Sequence, residues 1–400
     1  MQVMNGGINQ AVNEKVIVKV MDGVMNGKMD GVIDTIDVIE VHLSGTRIGR
    51  LAQTADRLCV FEYDNDYVQT GFSVSPLFLP LRQGVFVAKA SPFRGNFGAF
   101  DDSLPDGWGS LLLDRYLKSK GIAASRLSVL QRLALVGTNG RGALEYYPDS
   151  SIRADDDFIN FDKLAAEAEK ILTTEYAGES LETLFRHGGS SGGARPKVFV
   201  TIDGKEWLVK FRAGIDPPEV GKIEYDYAQL AGLCSINMPE TRLFENKYFA
   251  TERFDRSQQG KVHTISATGL LHADYRIPSL DYSALLKLCL HLTKNMEEVK
   301  ALFRQMVFNV VISNRDDHAK NFSFQYVENH WQLSPAYDLL PSAGFNGFHT
   351  TTINSQGNPA LKDILQVGTE AGIPHKQALQ IVEEVVETCK KSGMVKFAMI

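Results

Sequence analysis

The stretch VFNVVISNRDDHAKNFSF, residues 307–324, and the stretch LSPAYDLLP, residues 333–341, decide how the rest of the sequence is interpreted. An apolar run ends in a polar cluster at 313–321, and a second apolar run, 322–327, alternates like a half-buried strand. The chain then turns at Glu-Asn and returns as 331–333. This pattern predicts a β-hairpin bracketed by three polar side chains, Asp316, Asn321 and Asp338.

The spacing of these three side chains meets the needs of phosphoryl transfer. That reaction requires a carboxylate near the attacking hydroxyl and oxygen ligands for the Mg²⁺ on the nucleotide. Protein kinases supply them with a catalytic-loop Asp, an Asn five residues later and a further Asp. Asp316 and Asn321 are five residues apart, and Asp338 follows the predicted hairpin. These residues alone leave two interpretations open, a kinase site and an acidic turn whose Asp side chains cap strands and helices.

A glycine-rich segment, GGSSGGARPK at 188–197, precedes a strand-like run at 198–202. It is not a Walker loop, because the Gly-Lys-Ser/Thr ending is missing and a strand follows in place of a helix. It compares better with the glycine loop of kinases, whose backbone amides approach phosphate oxygens. A flexible surface linker is the alternative. Lys210, on the next predicted strand, lies where kinases carry a phosphate-binding lysine, and Glu224 on a predicted helix is a candidate partner.

The rest of the chain predicts a mixed architecture. Short β-prone runs separated by turn residues indicate a small β-rich module, and later apolar periodicity indicates helices. The β-prone runs lie at 38–43, 46–51, 59–63 and 85–88, and the predicted helices include 280–292, 296–312 and 376–391.

Taken together, these motifs resemble the HipA family, the serine/threonine kinase toxins of bacterial type II toxin–antitoxin systems. The resemblance rests on NRDDHAKNFS and PAYDLLP, on the glycine loop and strand lysine, and on ERFDR at 252–256, which matches the family's hinge. Two upstream segments, LPDGWG at 104–109 and GRGAL at 140–144, also resemble that family, in which they are structural. The resemblance covers about residues 38 to 390.

The resemblance implies an α+β chain with a defined domain order. A small β-rich N-terminal module at 38–150 would precede a bilobal protein-kinase-like domain at 151–400, whose C-terminal lobe is mostly helical. The boundary between the lobes is expected near residue 255. Residues 1–37, with glycine at every fourth position over part of their length, are expected to form an irregular leader.

The resemblance also implies roles for individual residues. Asp316 would be the catalytic base, and Asn321 and Asp338 would hold Mg²⁺. A serine at the start of the glycine loop is autophosphorylated in that family, which points to Ser190, with Ser191 as the adjacent candidate. The GGARPK sequence of this chain departs from the common AGAQEK form. The expected ATP-binding positions are Gly192, Gly193, Ala194, Arg195, Pro196, Lys197, Lys210, Glu252, Arg253, Phe254, His318, Lys320 and Tyr337.

Composition narrows the class of protein. A chain of 400 residues is longer than one hydrophobic core usually accommodates, so two or more domains are expected. Its net charge of −6 argues against charge-driven nucleic-acid binding by the whole chain. The four scattered cysteines include no CxxC pair, so neither a zinc site nor a disulfide framework is predicted. The sequence shows no signal-peptide pattern and no stretch of transmembrane length, so we expect a cytoplasmic protein without a membrane partner.

The function implied by the resemblance is an ATP- and Mg²⁺-dependent serine/threonine protein kinase. Such a kinase would pair with a HipB-like helix-turn-helix antitoxin, reach DNA only through it, and phosphorylate a translation component such as an aminoacyl-tRNA synthetase. Two other classes stay open, an antitoxin-bound co-repressor with little catalysis and a small-molecule kinase of the aminoglycoside-phosphotransferase type. The intact Asp, Asn, Asp and Lys set argues against the first, and the serine-bearing loop argues against the second.

Overall fold

The computed structural model describes residues 36–152, 160–173, 181–344 and 346–395. Helices and strands are mixed along the chain, which confirms the predicted α+β class. The predicted leader, residues 1–37, lies outside the described residues except for its last two. Within the described ranges, no helix combines the length and the apolar character that crossing a membrane requires.

An antiparallel five-stranded sheet forms the centre of the N-terminal module. Its strands are β1 (Val38–Leu43), β2 (Thr46–Gln53), β3 (Cys59–Tyr63), β4 (Val85–Val87) and β5 (Leu144–Tyr147), in the order β4-β3-β2-β1-β5. All four β-prone runs therefore form strands, and β5 adds a fifth at the edge beside β1. The helices of this part are α1 (Asn65–Thr70), α2 (Gly98–Asp101), α3 (Gly107–Ser119) and α4 (Val129–Val136).

A second antiparallel sheet, of four strands, carries the glycine-rich segment at its start. Its strands are β6 (Lys197–Ile202), β7 (Lys205–Lys210), β8 (Thr241–Phe244) and β9 (Tyr248–Glu252), in the order β6-β7-β9-β8. The β6–β7 hairpin turns through Asp203 and Gly204, both with positive φ, as a two-residue hairpin requires. The associated helices are α5 (Phe161–Thr173), α6 (Leu181–Gly188) and α7 (Val220–Leu233).

The C-terminal part is mostly helical, as predicted. Its helices are α8 (Ala267–Leu271), α9 (Tyr282–Thr293), α10 (Met296–Val311), α11 (Leu361–Glu370) and α12 (His375–Ser392). Its strands are β10 (Arg256–Ser257), β11 (Gly260–Lys261), β12 (His263–Ser266), β13 (Leu280–Asp281), β14 (Ser323–Val327), β15 (His330–Leu333) and β16 (Thr351–Thr352).

The predicted hairpin after the polar cluster is confirmed as β14 and β15. Val327 pairs with His330, and the two residues between them, Glu328 and Asn329, have φ of +49° and +65°. These angles suit the two-residue turns that match strand twist. β14 also pairs with β12, so β12, β14 and β15 form a three-stranded sheet in that order. This sheet fixes the point at which the chain leaves β15 and continues to Asp338.

One hydrophobic core joins the N-terminal module to the second sheet. Trp108 and Leu112 of α3 pack in the same buried cluster as Leu184 of α6, Trp207 of β7 and Phe211. The predicted boundary at residue 150 therefore separates segments that share a core. All four cysteines are free and buried.

The shared core predicts that a cavity in α3 destabilises both parts together. Leu112 is fully buried, so Leu112→Ala should lower the free energy of unfolding by about 2–5 kcal/mol. Urea titrations followed by fluorescence and by far-UV circular dichroism should shift in parallel. Leu233→Ala is the control, because Leu233 is 71% exposed and its truncation should change stability by no more than about 0.5 kcal/mol. Two separate transitions, with only one shifted, would contradict a common core.

Candidate functional site

Helix α10 delivers the loop of residues 313–321 to the centre of the molecule. Asn309, buried near the end of α10, accepts a hydrogen bond from Asn314 Nδ2 at 3.0 Å. The same Asn314 amide donates to the Asp338 carbonyl at 3.1 Å. The side chain of Asn314 therefore links the end of the helix to the segment after the hairpin, which brings the predicted catalytic loop and the predicted metal-binding Asp together.

Two adjacent aspartates in this loop lie in opposite environments. Asp317 is fully buried, and its carboxylate accepts hydrogen bonds from the Tyr282 hydroxyl at 3.0 Å and from the Thr350 amide at 2.9 Å, with His349 Nδ1 at 2.8 Å. Asp316, by contrast, is exposed. Asp317 therefore anchors the loop, whereas the Asp316 side chain is accessible to solvent.

The region bounded by the glycine loop, Lys210 and the 313–321 loop is called the cleft below, and its electrostatics raise the proton affinity of Asp316. Desolvation by the surrounding protein raises the pKa of the Asp316 carboxyl, and the Asp338 carboxylate adds to the rise although His318 opposes it. A carboxylate with a raised pKa binds a proton more readily than an unperturbed one.

A lysine whose side chain is 12% exposed connects three elements of the cleft. Lys210 at the end of β7 donates hydrogen bonds to Glu224 on α7 and to Asp338. Burial alone would lower the pKa of Lys210, but the Asp338 and Glu224 carboxylates outweigh it and raise that pKa above its usual range. Burial likewise opposes ionisation of Asp338, yet Lys210 and Lys197 hold its pKa well below the usual value. The proposed pairing of Glu224 with Lys210 is thus confirmed.

The glycine loop, residues 188–197, runs from α6 into β6. Its tip, formed by Gly192, Gly193 and Ala194, is exposed, whereas Pro196 is buried and its carbonyl accepts a hydrogen bond from the Phe211 amide at 2.8 Å. Gly193 has φ of +84°, a conformation that favours glycine. The tip of the loop is therefore accessible to solvent, whereas the end of the loop is fixed to the sheet.

The two basic side chains of the loop have different partners. Arg195 forms a two-pronged ion pair with Asp216, with Nε and Nη2 each 3.0 Å from a carboxylate oxygen. Its guanidinium is therefore engaged by protein, although Arg195 was predicted to bind ATP. Lys197 is buried and donates to the Gly192 carbonyl at 2.5 Å. Burial and the Lys210 ammonium lower the pKa of Lys197 to about 8.

The N-terminal module reaches into the cleft through Asp106, a residue that the sequence analysis did not assign to the site. The Asp106 carboxylate accepts hydrogen bonds from the Gly193 amide and from Lys320 of the 313–321 loop. Burial disfavours ionisation of Asp106, yet Lys320 and the Gly193 amide lower its pKa below the usual value. The LPDGWG segment contained a signal, because an Asp directly before a helix normally caps that helix. Asp106 occupies the N-cap of α3 without making that bond.

The hinge segment, residues 252–256, contains a buried ion pair and one ring of an aromatic pair. Glu252 ends β9, and the buried Arg253 side chain pairs with Asp255 at 2.8 Å. The Arg253 amide donates to the Glu206 carbonyl at 2.8 Å. The rings of Phe254 and Tyr337 lie 5.5 Å apart in a stacked arrangement. These two predicted ATP-binding residues thus form an aromatic pair beside the hinge.

Arg141 is a second residue that the sequence analysis missed. It lies in the GRGAL segment and donates to Ser323 Oγ at 2.5 Å and to the Tyr337 hydroxyl at 3.3 Å. The Tyr337 hydroxyl in turn donates to the Lys320 carbonyl at 2.5 Å. The N-terminal module therefore supports both the aromatic pair and the predicted catalytic loop.

The remaining predicted site residues suit a nucleotide–metal complex better than a metal ion alone. Asn321 donates through Nδ2 to the Asp316 carbonyl at 2.8 Å, which leaves its amide oxygen as the atom that can ligate a metal. Within the described ranges, no three His, Cys, Asp or Glu side chains cluster as a metal site. Asn321 and Asp338 would thus be partial ligands, as Mg²⁺ accepts when phosphates and water complete its shell. His318 Nδ1 is buried and has no hydrogen-bond partner among the described residues.

The fold and the cleft define a kinase-like protein, in which a strand lysine joins a helix glutamate and a post-hairpin aspartate next to a glycine loop. The model of the HipA-like C-terminal domain matches residues 189–392, and that of the HipA N-terminal domain matches residues 39–147. The chain therefore belongs to the HipA family, as its motifs predicted.

Individual relatives agree with this assignment. Y4dM of Sinorhizobium fredii, provisionally named a kinase, is 24% identical over 382 residues that cover 88% of this chain and 90% of the relative. The serine/threonine-protein kinase toxin HipA of Shewanella oneidensis is 24% identical over 340 residues, or 76% of this chain and 74% of the relative. A solved structure of Shewanella oneidensis HipA with HipB and its operator DNA has a TM-score of 0.66 at 18% identity and covers 90% of this chain and 92% of that chain. This last likeness shows the fold.

The different burial of Asp317 and Asp316 predicts that their substitutions affect the stability of the protein differently. Asp317→Asn should lower the free energy of unfolding by about 3 kcal/mol, because the amide group would face donors that now bind a carboxylate. Asp316→Asn should change it by no more than about 0.5 kcal/mol, because the side chain is exposed. Urea denaturation midpoints measure both. Equal midpoints for the two variants would contradict the anchoring role of Asp317.

Proposed function

We propose that the protein is an ATP- and Mg²⁺-dependent serine/threonine protein kinase. The observation that carries the proposal is the ion pair of Lys210 with Glu224 and Asp338. Active protein kinases require the corresponding lysine–glutamate pair, and the corresponding aspartate holds their magnesium. The HipA family membership and the kinase names of the relatives support the same conclusion.

The proposed roles follow from where each side chain lies. ATP would bind between the sheet and the helical part, with its phosphates under residues 192–197 and against Lys210. Asn321 and Asp338 would hold Mg²⁺, which would neutralise charge on the phosphates. Asp316 orients the substrate hydroxyl and accepts its proton on a carboxylate oxygen late in the reaction. Its raised pKa favours that transfer.

We further propose Ser190 as the autophosphorylated residue of the glycine loop. Ser191 is buried, and its hydroxyl donates to the Gly188 carbonyl at 2.5 Å, so modification would break a buried hydrogen bond. Ser190 is half-buried, which makes its hydroxyl the more accessible of the two.

The proposed partners rest on the family. Because Shewanella oneidensis HipA was solved with HipB and operator DNA, we propose that this chain binds a HipB-like antitoxin and meets DNA through it. The proposed substrate is a cytoplasmic translation component of the aminoacyl-tRNA synthetase type. Its serine or threonine hydroxyl would have to reach the exposed Asp316.

Intact-mass spectrometry tests the activity directly. After incubation with ATP and Mg²⁺, the wild-type protein should gain one phosphate on the peptide containing the glycine loop, and Asp316→Asn should gain none while still binding ATP. Near-normal phosphorylation of the variant would remove Asp316 from its role. ATP binding without phosphorylation of the wild type would mean either that the substrate is external and strictly chosen or that the chain is a co-repressor. Failure to bind ATP would overturn the kinase proposal itself.

The lowered pKa of Lys197 predicts a pH dependence of ATP binding. The charged groups that act on the Lys197 ammonium are Lys210, which lowers its pKa, and Asp338, Asp106 and Glu224, which raise it. Because phosphate favours the protonated ammonium, ATP affinity should be constant below the pKa of about 8 and fall by about tenfold per pH unit above it.

The matched variant for this pH profile is Lys197→Arg, because arginine keeps its charge throughout the range. The KM for ATP, measured from pH 6.5 to about 9.5, should rise in the wild type and remain flat in the variant. Identical profiles in both proteins would show that another group is responsible.

A further inference from the structure

The LPDGWG segment of the N-terminal module is docked on the glycine loop by backbone contacts. The Trp108 amide donates to the Gly193 carbonyl at 2.9 Å, and Trp108 Nε1 donates to the Lys197 carbonyl at 3.1 Å. The packing leaves no room for a side chain at Gly107 or at Gly109. A Cβ on Gly107 would lie 2.5 Å from the Gly193 oxygen, and one on Gly109 would lie 2.3 Å from the Ser191 oxygen. The loop is therefore held closely along its length by a part of the chain nearly one hundred residues earlier.

Asp106 extends this docking across the cleft. Its carboxylate is shared between the amide of Gly193, on the glycine loop, and the ammonium of Lys320, on the 313–321 loop. The residue is 8% exposed, so both bonds are largely shielded from water, and hydrogen bonds to charged groups are stronger than neutral ones. One buried anion thus fixes the distance between the two loops.

A second carboxylate holds the other side of the loop tip. Asp216 pairs with Arg195 and also accepts a hydrogen bond from the Ala213 amide at 3.0 Å. The exposed tip at residues 192–194 therefore lies between two anchored points, one supplied by the N-terminal module and one by the segment after β7. Only the Asp106 anchor also contacts the 313–321 loop.

We infer that Asp106 is a positioning residue that holds the glycine loop closed over the cleft and orients Lys320, so that the N-terminal module completes the nucleotide site. The inference rests on the proposed kinase function for its effect on ATP. Its structural content, the clamp on the glycine loop, is independent of catalysis.

The test compares Asp106→Asn with Asp114→Asn. The first variant keeps the shape of Asp106 and removes the charge that binds Lys320. The second is the control, because Asp114 is exposed on the same helix α3. Hydrogen exchange of the peptide containing residues 188–197, measured by mass spectrometry without nucleotide, should be faster in Asp106→Asn by about tenfold or more and unchanged in the control.

Steady-state kinetics supply the readout that a general loss of stability would not give. In Asp106→Asn the KM for ATP should rise by about tenfold, and kcat should fall by less than that factor, because the bond from Asn321 to the Asp316 carbonyl is separate from the clamp. A fall in KM would mean that the carboxylate competes with phosphate for the Gly193 amide and Lys320, which would overturn the inference.

Gly109→Ala is the second variant, in case Asp106→Asn folds poorly. Alanine favours the helix more than glycine does, so the helix itself should not be weakened, while the added Cβ would displace the loop at Ser191. It should reproduce the faster exchange and the raised KM. Unchanged exchange in both variants would overturn the clamp. If exchange responds but the wild type transfers no phosphate, the clamp stands and the kinase proposal fails.

Discussion

The ion pair between Lys210 and two carboxylates is the interaction on which the cleft depends. Glu224 comes from helix α7, Asp338 from the segment after the β14–β15 hairpin, and Lys210 from the second sheet. Removing the Lys210 charge would leave the Glu224 and Asp338 carboxylates facing each other without a counter-charge, which is far less favourable than the intact set. The pair therefore fixes how the sheet faces the helical part, and it places the Asp338 carboxylate where its pKa is held low.

The N-terminal module contributes to the same site by an independent set of contacts. Arg141 supports Tyr337, and the buried Asp255 accepts a hydrogen bond from the Gly142 amide at 2.8 Å next to the hinge. Asp102 accepts bonds from the amide and hydroxyl of Ser266, at 2.6 and 2.7 Å, at the start of α8. These contacts lie on different elements of the kinase-like part. The N-terminal module thus forms part of the cleft, although one family model matches the module and another matches the kinase-like part.

Sequence reasoning recovered the parts of the site that are close together along the chain. The Asp-x4-Asn spacing, the hairpin and the strand after the glycine loop follow from local patterns of turn and apolar residues, and the structure confirms their arrangement. The roles of Asp106 and Arg141 could not be predicted in this way, because their partners lie 87 to 214 residues away in the sequence. The pairing of Arg195 with Asp216 is likewise visible only in the fold, and ATP binding by Arg195 stays a prediction.

The burial of α3 against the second sheet has a consequence for the order in which the protein folds on the ribosome. Trp108 and Leu112 are synthesised long before Trp207 and Phe211, the aromatic side chains that share their core. At typical rates of synthesis the intervening residues take roughly ten seconds to appear. During that interval α3 can bury its apolar residues against α6, whose Leu184 shares the same core, but the side that packs on the second sheet stays uncovered. The α3 core is therefore completed only after strand β7 has been synthesised.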